Sequence, residues 1–317
     1  MKNNRAKITV VGSINVDMTA FTPHFPVDGE TVVGDRLQFG PGGKGLNQAT
    51  AASRAGGEVI MVAKIGRDFL SSVALDHFRA EGMSEKHLAI ADDVGTGSAI
   101  IEVSSVSGEN KIIILKGANE KITAAEVLAA EDEIAGSDIV LTQLESSFES
   151  VRALIETANK HHVPVVLNPA PFQSVPDGLF DGVDYFTPNE TEAEYFSGIK
   201  VTDEVSASKA ADKLMENLGV KHVIITLGKK GVYYKDSEHE LLVPPPVMKA
   251  VDTTGAGDSF NGGLCVALSE GKDIKTALEF ANCTAAISVT RAGAAPAMAK
   301  REEIDALYAS FYGTKES

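Results

Sequence analysis

The second half of the chain constrains the fold most, because strand-like and helix-like segments alternate there with a regular rhythm. A short β-branched run at 138–141 is followed by an amphipathic segment at 148–160 and a second apolar run at 163–167. The same order continues to a third apolar run at 222–227. Strands that alternate with helices predict βαβ units, whose parallel sheet is covered by helices on both faces. We therefore predict an α/β fold with a mostly parallel central sheet.

The first third of the chain adds strands of a different kind. A buried strand is predicted at 7–12 and another at 59–65, with helices at 46–55 and 69–81. Short strands and turns fill 14–39 and 95–116. Because these two segments interrupt the α/β pattern twice, we predict one domain over 1–317 that carries a small β subdomain acting as a lid. Towards the end, a small β meander is predicted at 232–243, followed by helices at 256–269, 274–290 and 302–311.

Composition excludes several classes of function. The formal net charge is −15, and such a field repels phosphate backbones, so nucleic-acid binding is not expected. A nucleotide site would need its own local positive potential. The two cysteines, Cys265 and Cys283, indicate core residues in a reducing compartment rather than a disulfide framework or a metal site. With no apolar leader and no run of eighteen apolar residues, we expect a cytoplasmic protein without membrane contact.

The strongest local motif is the loop DTTGAGDSF at 252–260. Its glycines allow the backbone to approach a ligand closely, and they stand where a loop turns into an apolar helix. The N–H groups of 255–258 are then unsatisfied donors at a helix N-terminus, which attracts phosphate. Asp258 lies in the first turn, where its carboxylate could reach a hydroxyl beside that phosphate. The alternative is an ordinary helix start; the loop is not a Walker A motif, because no G-K-[ST] follows the glycines.

Two further glycine-containing segments lie near the N-terminus. GPGGKGLNQA at 40–49 opens a helix, and its Lys44 and Asn47 provide donors suited to sugar hydroxyls. The alternative is a tight turn with a surface lysine. GSINVD at 12–17 follows the first strand, and ligands of α/β sheets bind at the carboxyl ends of strands. The alternative there is an Asx turn.

Three polar segments follow later strands. In TPNETEAE at 187–194, Asn189 and Glu192 either cap a helix or face a hydrated Mg²⁺ ion on the phosphates. LNPAP at 167–171 and TLGKKG at 226–231 each end a predicted strand, and each is either a ligand loop or a turn.

Taken together and in this order, these segments resemble the ribokinase-like (PfkB) carbohydrate kinases, with QLES at 143–146 as a further match. The similarity runs from about residue 11 to about residue 304. It implies a three-layer α/β/α fold with a β lid that often forms a homodimer clasp. It also implies that Asp258 is the general base and that Gly255, Ala256 and Gly257 form an anion hole for the transferring phosphoryl group.

The resemblance implies ligands for the other groups as well. The sugar-binding residues would be Asn15, Asp17, Gly43, Lys44, Asn47, Glu145 and Asp258, with apolar lid contacts from Ala99, Ile101 and Ile114. The nucleotide-binding residues would be Asn189, Thr226, Gly228, Gly231, Gly257 and, near the ribose or adenine, Asn282. Glu192 would hold Mg²⁺ through water. An activating K⁺ would be held by groups of Asp252, Thr254, Ser288, Arg291 and Gly293.

Four residues depart from the family pattern. Leu46, Pro41 and Ser98 lie beside the sugar loop or on the lid, so the motifs do not decide which sugar is phosphorylated. Ala297 stands where the family has a serine, so one possible hydroxyl ligand of K⁺ is missing. We expect a kinase that transfers the γ-phosphate of ATP to a small sugar, with ribose favoured. The alternatives are a kinase of this family for deoxyribose, fructose or a nucleoside, and a sugar-binding or regulatory relative without catalysis. A nicotinamide dehydrogenase is excluded, because no G-x-G-x-x-G follows the first strand.

Overall fold

A computed structural model describes residues 5–313 of the chain. The strands are β1 (Lys7–Val11), β2 (Asn15–Thr22), β3 (Arg36–Gly42), β4 (Glu58–Gly66), β5 (Leu88–Ala91), β6 (Gly97–Ser104), β7 (Asn110–Leu115), β8 (Ile139–Gln143), β9 (Val165–Asn168), β10 (Tyr185–Phe186), β11 (His222–Thr226), β12 (Val232–Lys235) and β13 (Glu240–Val243). The α-helices are α1 (Lys44–Arg54), α2 (Phe69–Ala80), α3 (Ala124–Leu128), α4 (Glu131–Ala135), α5 (Phe148–Lys160), α6 (Glu190–Ser197), α7 (Glu204–Leu218), α8 (Ala256–Ser269), α9 (Ile274–Ser288) and α10 (Arg301–Phe311).

In the described part of the chain, nine strands form one sheet in the order β13-β12-β11-β10-β9-β8-β1-β4-β5. The pairs from β11 through β1 to β5 are all parallel, with β1 between β8 and β4. The segment predicted as a small β meander extends this sheet, because β12 pairs antiparallel with β11 and β13 antiparallel with β12. Residues at the carboxyl ends of the parallel strands therefore meet at one edge of the sheet.

Helices cover the sheet on both faces, which gives two hydrophobic cores. Ile8 and Val10 of β1 point into one core, where they meet helices α1, α8 and α9. Val11 points into the other core, which is built from α3 to α7. This alternation explains why the strands read as continuous apolar runs, since both faces of each strand are buried. The predicted three-layer α/β fold is confirmed.

A second sheet of four strands has the order β3-β2-β6-β7. Its central pair is parallel, so that Asp17 of β2 lies opposite Ala99 of β6, whereas the two outer pairs are antiparallel. The sequence segment 30–33, which alternates like a strand, is not part of any strand and is mostly exposed. The role of this sheet as a lid remains a prediction.

Side chains that cap the first turn mark the starts of most helices. Asp68, Ser147 and Asp203 each accept a hydrogen bond from a backbone N–H in the first turn of the helix that follows. Strand β5 and helices α3 and α4 were not predicted from the sequence, because they are only four or five residues long. Cys265 and Cys283 are buried and free, as predicted. No helix within residues 5–313 is long and apolar enough to cross a membrane.

Candidate active site

The candidate site lies where the carboxyl ends of the central strands meet the first turns of α1 and α8. The two helices come very close at Gly262, where an added Cβ would lie 2.6 Å from the Cβ of Ala51. A side chain at this position would separate the helices, so the glycine lets their N-terminal ends converge on the sheet edge. Both helix starts were predicted from the sequence, but the contact between the two helices was not.

Glycine is required in the loop before α1, because the backbone of this loop lies very close to the backbone that follows β1. Gly43 has a φ of 91°, and an added Cβ would lie 2.5 Å from the backbone nitrogen of Asn15. At Gly45 an added Cβ would lie 2.5 Å from the backbone nitrogen of Ser13. The N–H of Leu46 donates to the carbonyl of Ser13 at 2.9 Å, which joins the loop after β1 to the start of α1. The two predicted sugar-side segments are thus brought together.

Glu145, at the end of β8, connects these two segments. Its Oε2 accepts from the hydroxyl of Ser13 at 2.6 Å and from the backbone N–H of Lys44 at 2.9 Å. Asn15 is held by a residue that the sequence reading missed, since Nδ2 of Asn119 donates to its Oδ1 at 2.8 Å. The partners are more than a hundred residues apart, so only the fold reveals these bonds.

Asp17 lies on β2 directly opposite the glycine loop. An added Cβ on Gly42 would lie 2.6 Å from each of its carboxylate oxygens, so the carboxylate occupies the space that this glycine leaves free. Burial, and secondly the negative charge of Glu145, raise the pKa of Asp17 to about 6. This carboxyl group therefore changes its ionisation near neutral pH.

Lys44 supplies the positive charge of the site. Burial by itself would lower its pKa, but the surrounding charges of Asp258, Glu145 and Glu192 outweigh burial and raise the pKa. In the described part of the chain its ammonium makes no side-chain hydrogen bond or ion pair, although it is mostly buried. A protonated donor therefore faces the site and is free to bind a ligand.

Asp258 lies in the first turn of α8 and is 6% exposed. Its Oδ2 accepts from Nδ2 of Asn47 at 3.0 Å, and its Oδ1 accepts from Nε2 of Gln48 at 2.9 Å. The N-cap residue of the helix is Gly255, whose φ of 74° is in the left-handed region and which has no side chain to cap the first N–H groups. An added Cβ on Gly257 would meet nothing within 4 Å, so open space adjoins this turn. These features suit an anion at the helix N-terminus.

Asn189 and Glu192 form a reciprocal capping box at the start of α6. The N–H of Asn189 donates to Oε2 of Glu192, and the N–H of Glu192 donates to Oδ1 of Asn189, both at 2.8 Å. Burial raises the pKa of Glu192, and the charge of Asp258 adds to this, whereas the Asn189 N–H and Lys44 act against it. The capping alternative is thus realised, and the second carboxylate oxygen of Glu192 remains for a cation.

The other residues that were predicted to bind the nucleotide lie around the ends of β11 and β13. Asn189 forms a parallel bridge with Thr226. Gly228 (φ 54°) has nothing within 4 Å of an added Cβ, whereas an added Cβ on Gly231 would lie 2.1 Å from the carbonyl oxygen of Val243. Asn282 donates to that same carbonyl at 3.2 Å. Gly231 and Asn282, distant in sequence, therefore both lie next to the carbonyl oxygen of Val243.

The predicted cation loop is held together by Asp252. Its Oδ1 accepts from the N–H of Thr254 and its Oδ2 from the N–H of Gly293, both at 2.9 Å. Burial would raise the pKa of Asp252, but these two bonds outweigh it and lower the pKa. The guanidinium of Arg291 pairs with Glu303 and, as a cation without an acceptor atom, cannot bind another cation, so a ligand from this residue would be its backbone carbonyl.

Two kinds of oxygen ligand are therefore available for cations. Glu192 offers one carboxylate oxygen, which fits Mg²⁺ bound mainly by water and phosphate. The carboxylate of Asp252 and the carbonyls of its loop fit a larger hard cation such as K⁺, while the hydroxyl of Ser288 already donates to the carbonyl of Ala285 at 2.9 Å. Within residues 5–313 there is no group of three or more His, Cys, Asp or Glu side chains that could hold a metal ion.

The departures from the family pattern are spread over three places. Leu46 is fully buried and belongs to the core between the sheet and α8, so its side chain packs away from the cleft. Pro41 pairs with Val16 and Ser98 with Leu115 in the four-stranded sheet. Ala297 is buried in a short 3₁₀ turn.

Known proteins match this chain over almost its whole length. A family model described as pfkB family carbohydrate kinase matches residues 5–301. A ribokinase of Haemophilus influenzae is 42% identical over 299 residues, which cover 94% of this chain and 97% of that protein. A deoxyribokinase of Salmonella typhi is 34% identical over 287 residues, which cover 90% of this chain and 93% of that protein. The structure of an Arabidopsis thaliana ribokinase complexed with ribose and ATP matches with a TM-score of 0.88 at 29% identity, covering 99% of this chain and 100% of that one.

A parallel sheet whose strand ends and helix N-termini converge on a buried carboxylate, together with these similarities, defines a phosphotransferase that acts on an alcohol group. The chain belongs to the pfkB family of carbohydrate kinases. The family resemblance drawn from the sequence motifs is confirmed. The roles of the individual site residues remain predictions.

Proposed function

We propose that this enzyme is an ATP-dependent ribokinase, which converts D-ribose and ATP into ribose 5-phosphate and ADP. The observation that carries the proposal is the position of the Asp258 carboxylate in the first turn of α8, beside N–H groups that no side chain caps. An acceptor hydroxyl and a phosphoryl group can therefore meet within one turn of helix. The high similarity to ribokinases supports ribose as the sugar.

In this mechanism Asp258 accepts the proton of the sugar hydroxyl while the hydroxyl oxygen bonds to the γ-phosphorus of ATP. The bond between that phosphorus and the β,γ-bridging oxygen breaks, and ADP leaves with the electron pair. General base catalysis of this kind contributes on the order of 10²–10⁴ in rate. Backbone N–H groups of the turn that contains Gly255, Ala256 and Gly257 stabilise the charge on the transferring phosphoryl group, which supplies much of the remaining acceleration.

The sugar would bind to polar atoms that have no hydrogen-bond partner among the described residues. Oδ1 of Asn47 is buried and accepts no hydrogen bond from the described residues. The ammonium of Lys44 and the carboxylate of Asp17 are also without a hydrogen bond among residues 5–313. Because buried polar groups are normally satisfied, such a set is best explained by a ligand rich in hydroxyl groups. Asn15, Gly43 and Glu145 would complete the sugar site.

The nucleotide would extend from the start of α8 towards the ends of β11 and β13. Its contacts would come from Asn189, Thr226, Gly228, Gly231, Gly257 and Asn282. Mg²⁺, held through water by Glu192, would neutralise phosphate charge when bound. K⁺ at the loop of Asp252, Thr254, Ser288, Arg291 and Gly293 would stiffen the start of α8. Mg²⁺ and K⁺ are both assigned by family resemblance and by the available oxygen ligands.

We further propose a cytoplasmic homodimer that associates through the four-stranded sheet. Strand β7 carries Ile112, Ile113, Ile114 and Leu115, and each is about half exposed. Leu37 and Phe39 of β3, the strand at the other edge of this sheet, are also exposed, so both edges carry apolar side chains that a second subunit could cover. Segments 14–39 and 95–116, which contain these strands, would also close over the sugar as a lid.

The test is ADP release from Mg²⁺-ATP with a panel of ribose, 2-deoxyribose, fructose and nucleosides, with and without K⁺. Preference for ribose, increased by K⁺, is the expected result. Preference for 2-deoxyribose would favour the second candidate, a deoxyribokinase, which the similarity to such an enzyme makes the main competitor. Absence of sugar-dependent ADP release would contradict the kinase assignment and favour a non-catalytic relative.

A further inference from the structure

Gln48, one residue after Asn47 on α1, lies fully buried beside Asp258 and uses almost all of its hydrogen-bonding capacity. Its Nε2 donates to Oδ1 of Asp258 at 2.9 Å and to Oδ1 of Asn168 at 3.1 Å. Its Oε1 accepts from Nε2 of Gln143 at 2.7 Å. Gln143 and Asn168 end the adjacent strands β8 and β9, so Gln48 joins the sheet to the carboxylate.

The orientation of the Gln48 amide is fixed by its partners. Nδ2 of Asn168 donates to the backbone carbonyl of Thr187 at 2.9 Å, and a carbonyl can only accept. Oδ1 of Asn168 must therefore face Gln48. If the Gln48 amide were reversed, its oxygen would face two acceptors, the carboxylate of Asp258 and Oδ1 of Asn168. The chain of bonds thus dictates that an N–H points at Asp258.

The same network also reaches the backbone that precedes Asp258. The hydroxyl of Thr187 donates to Oδ1 of Asn261 at 2.6 Å, and Nδ2 of Asn261 donates to the carbonyl of Gly257 at 2.8 Å. All of these side chains are buried. The first turn of α8 is therefore held at two points. Gln48 binds the carboxylate of Asp258, and Asn261, a residue of the same helix that is bonded to Thr187, binds the carbonyl of Gly257.

We propose that Gln48 is a positioning residue for the general base. It holds Oδ1 of Asp258, so that Oδ2 is the oxygen that receives the proton of the sugar hydroxyl. Oδ2 lies on the side of Asn47, whose own Oδ1 has no hydrogen-bond partner in the part of the chain that the structure describes and is assigned to the sugar. Gln48 itself touches Asp258 and strand ends rather than the sugar or ATP. This inference rests on the proposed kinase function and on Asp258 as its base.

Gln48→Met tests the proposal, because methionine is unbranched and similar in length but donates no hydrogen bond. We expect kcat to fall on the order of 30- to 100-fold, since a small misplacement of a reacting group has an effect of this size. KM for ribose and for ATP should stay within about threefold, because the ligand contacts remain. Gln48→Glu should be slower still, since it removes both donors and sets a second carboxylate against Asp258.

Thr50→Val is the matched control for a purely structural effect. Thr50 is fully buried on the same helix, and its hydroxyl bonds to the carbonyl of Leu46 and to His77, not to the site. This variant should lose stability in thermal unfolding but keep kcat. If Gln48→Met is folded and keeps kcat within about twofold of the wild type, the positioning role is wrong.

A double-variant comparison separates this inference from the function on which it rests. Added to Asp258→Asn, the Gln48→Met change should alter the residual rate, measured with radiolabelled ATP, by less than about twofold. If the rate reductions of Gln48→Met and Asp258→Asn instead multiplied in the double variant, Gln48 would not act through Asp258. If Asp258→Asn alone keeps normal turnover, the proposed base is wrong; if only Gln48→Met is silent, the base stands and the positioning role fails.

Discussion

Nδ2 of Asn47 donates to Oδ2 of Asp258 at 3.0 Å, which joins the first turns of two helices whose residues are separated by 211 positions in sequence. Both helices begin at glycine-rich loops. The bond brings the predicted sugar site and the predicted phosphate site to a common point. A kinase requires this proximity, because the acceptor hydroxyl must reach the γ-phosphorus while its proton reaches the base.

Asp17 predicts a pH dependence of both stability and sugar binding. Its pKa is about 6 in the folded protein against 3.8 as the ordinary value, so between these pH values the folded state binds more protons than the unfolded state. The free energy of unfolding should therefore decrease as pH rises through this window. Above pH 6 Asp17 is ionised in the folded protein, and the decrease is complete. Asp17→Asn should raise the free energy of unfolding by more than about 1 kcal/mol at pH 7.5 and have little effect at pH 4.

The same variant should bind sugar poorly, because the carboxylate acceptor is lost. In the wild type, KM for ribose should likewise rise as pH falls below about 6, where Asp17 becomes protonated. Urea unfolding at the two pH values and KM measured across pH 5–8 test these statements. A stability difference that is equal at both pH values would contradict the assigned origin of the effect.

Gly45 and Gly257 should respond in opposite ways to replacement by alanine. At Gly45 the added Cβ would lie 2.5 Å from backbone, so Gly45→Ala should destabilise the fold by at least about 2 kcal/mol. At Gly257 the added Cβ meets open space, and alanine also favours a helix, so Gly257→Ala should keep or slightly raise the melting temperature.

Gly257→Ala should nevertheless lose activity, because the open space beside Gly257 is where the phosphoryl group is proposed to bind. Thermal unfolding together with KM for ATP and kcat separates the two outcomes. A fully active Gly257→Ala variant would argue against the anion site at this turn.

Leu46 tests whether a departure from the family pattern changes the sugar. Its side chain is fully buried in the core, so Leu46→Ala should lower the free energy of unfolding by about 2–5 kcal/mol. Because the side chain packs away from the cleft, the order of preference among sugars should stay the same. Measuring kcat/KM for ribose and 2-deoxyribose in the folded variant checks this. A reversal of the preference would make Leu46 a specificity residue.

The exposed apolar strand β7 predicts association of two chains. The wild type should have twice the chain mass of 33.4 kDa in solution by light scattering. Ile113→Glu should shift the enzyme to the monomer, because a charge would then have to be buried in the interface. Val205→Glu is the control, since Val205 is 64% exposed on α7, in the layer that covers the central sheet. A monomeric wild type would contradict the proposed interface.

The sequence predicted much of this arrangement because its signals are local. Apolar periodicity identified the alternating strands and helices, and glycine-rich loops identified Lys44, Asn47 and Asp258. What it missed depends on contacts between distant segments. The amides of Gln48, Gln143 and Asn168 meet only because β8 and β9 are neighbours in the sheet, and the parallel pairing of β2 with β6 has no local signature. The assignment of Arg291 to the cation loop rests on the resemblance and stays a prediction; its side chain pairs with Glu303, so the group it would offer is the backbone carbonyl.

Asp258→Asn tests most directly whether Asp258 is the general base. Asparagine keeps the shape of the side chain but cannot accept the hydroxyl proton as a carboxylate does. The measurement is the rate of ribose-dependent ADP formation at saturating ATP, with Asp76→Asn, an exposed acid on α2, as the control. Folded Asp258→Asn should be slower by about 10²–10⁴, while Asp76→Asn should match the wild type. A folded Asp258→Asn enzyme within about threefold of the wild-type rate would contradict Asp258 as the general base.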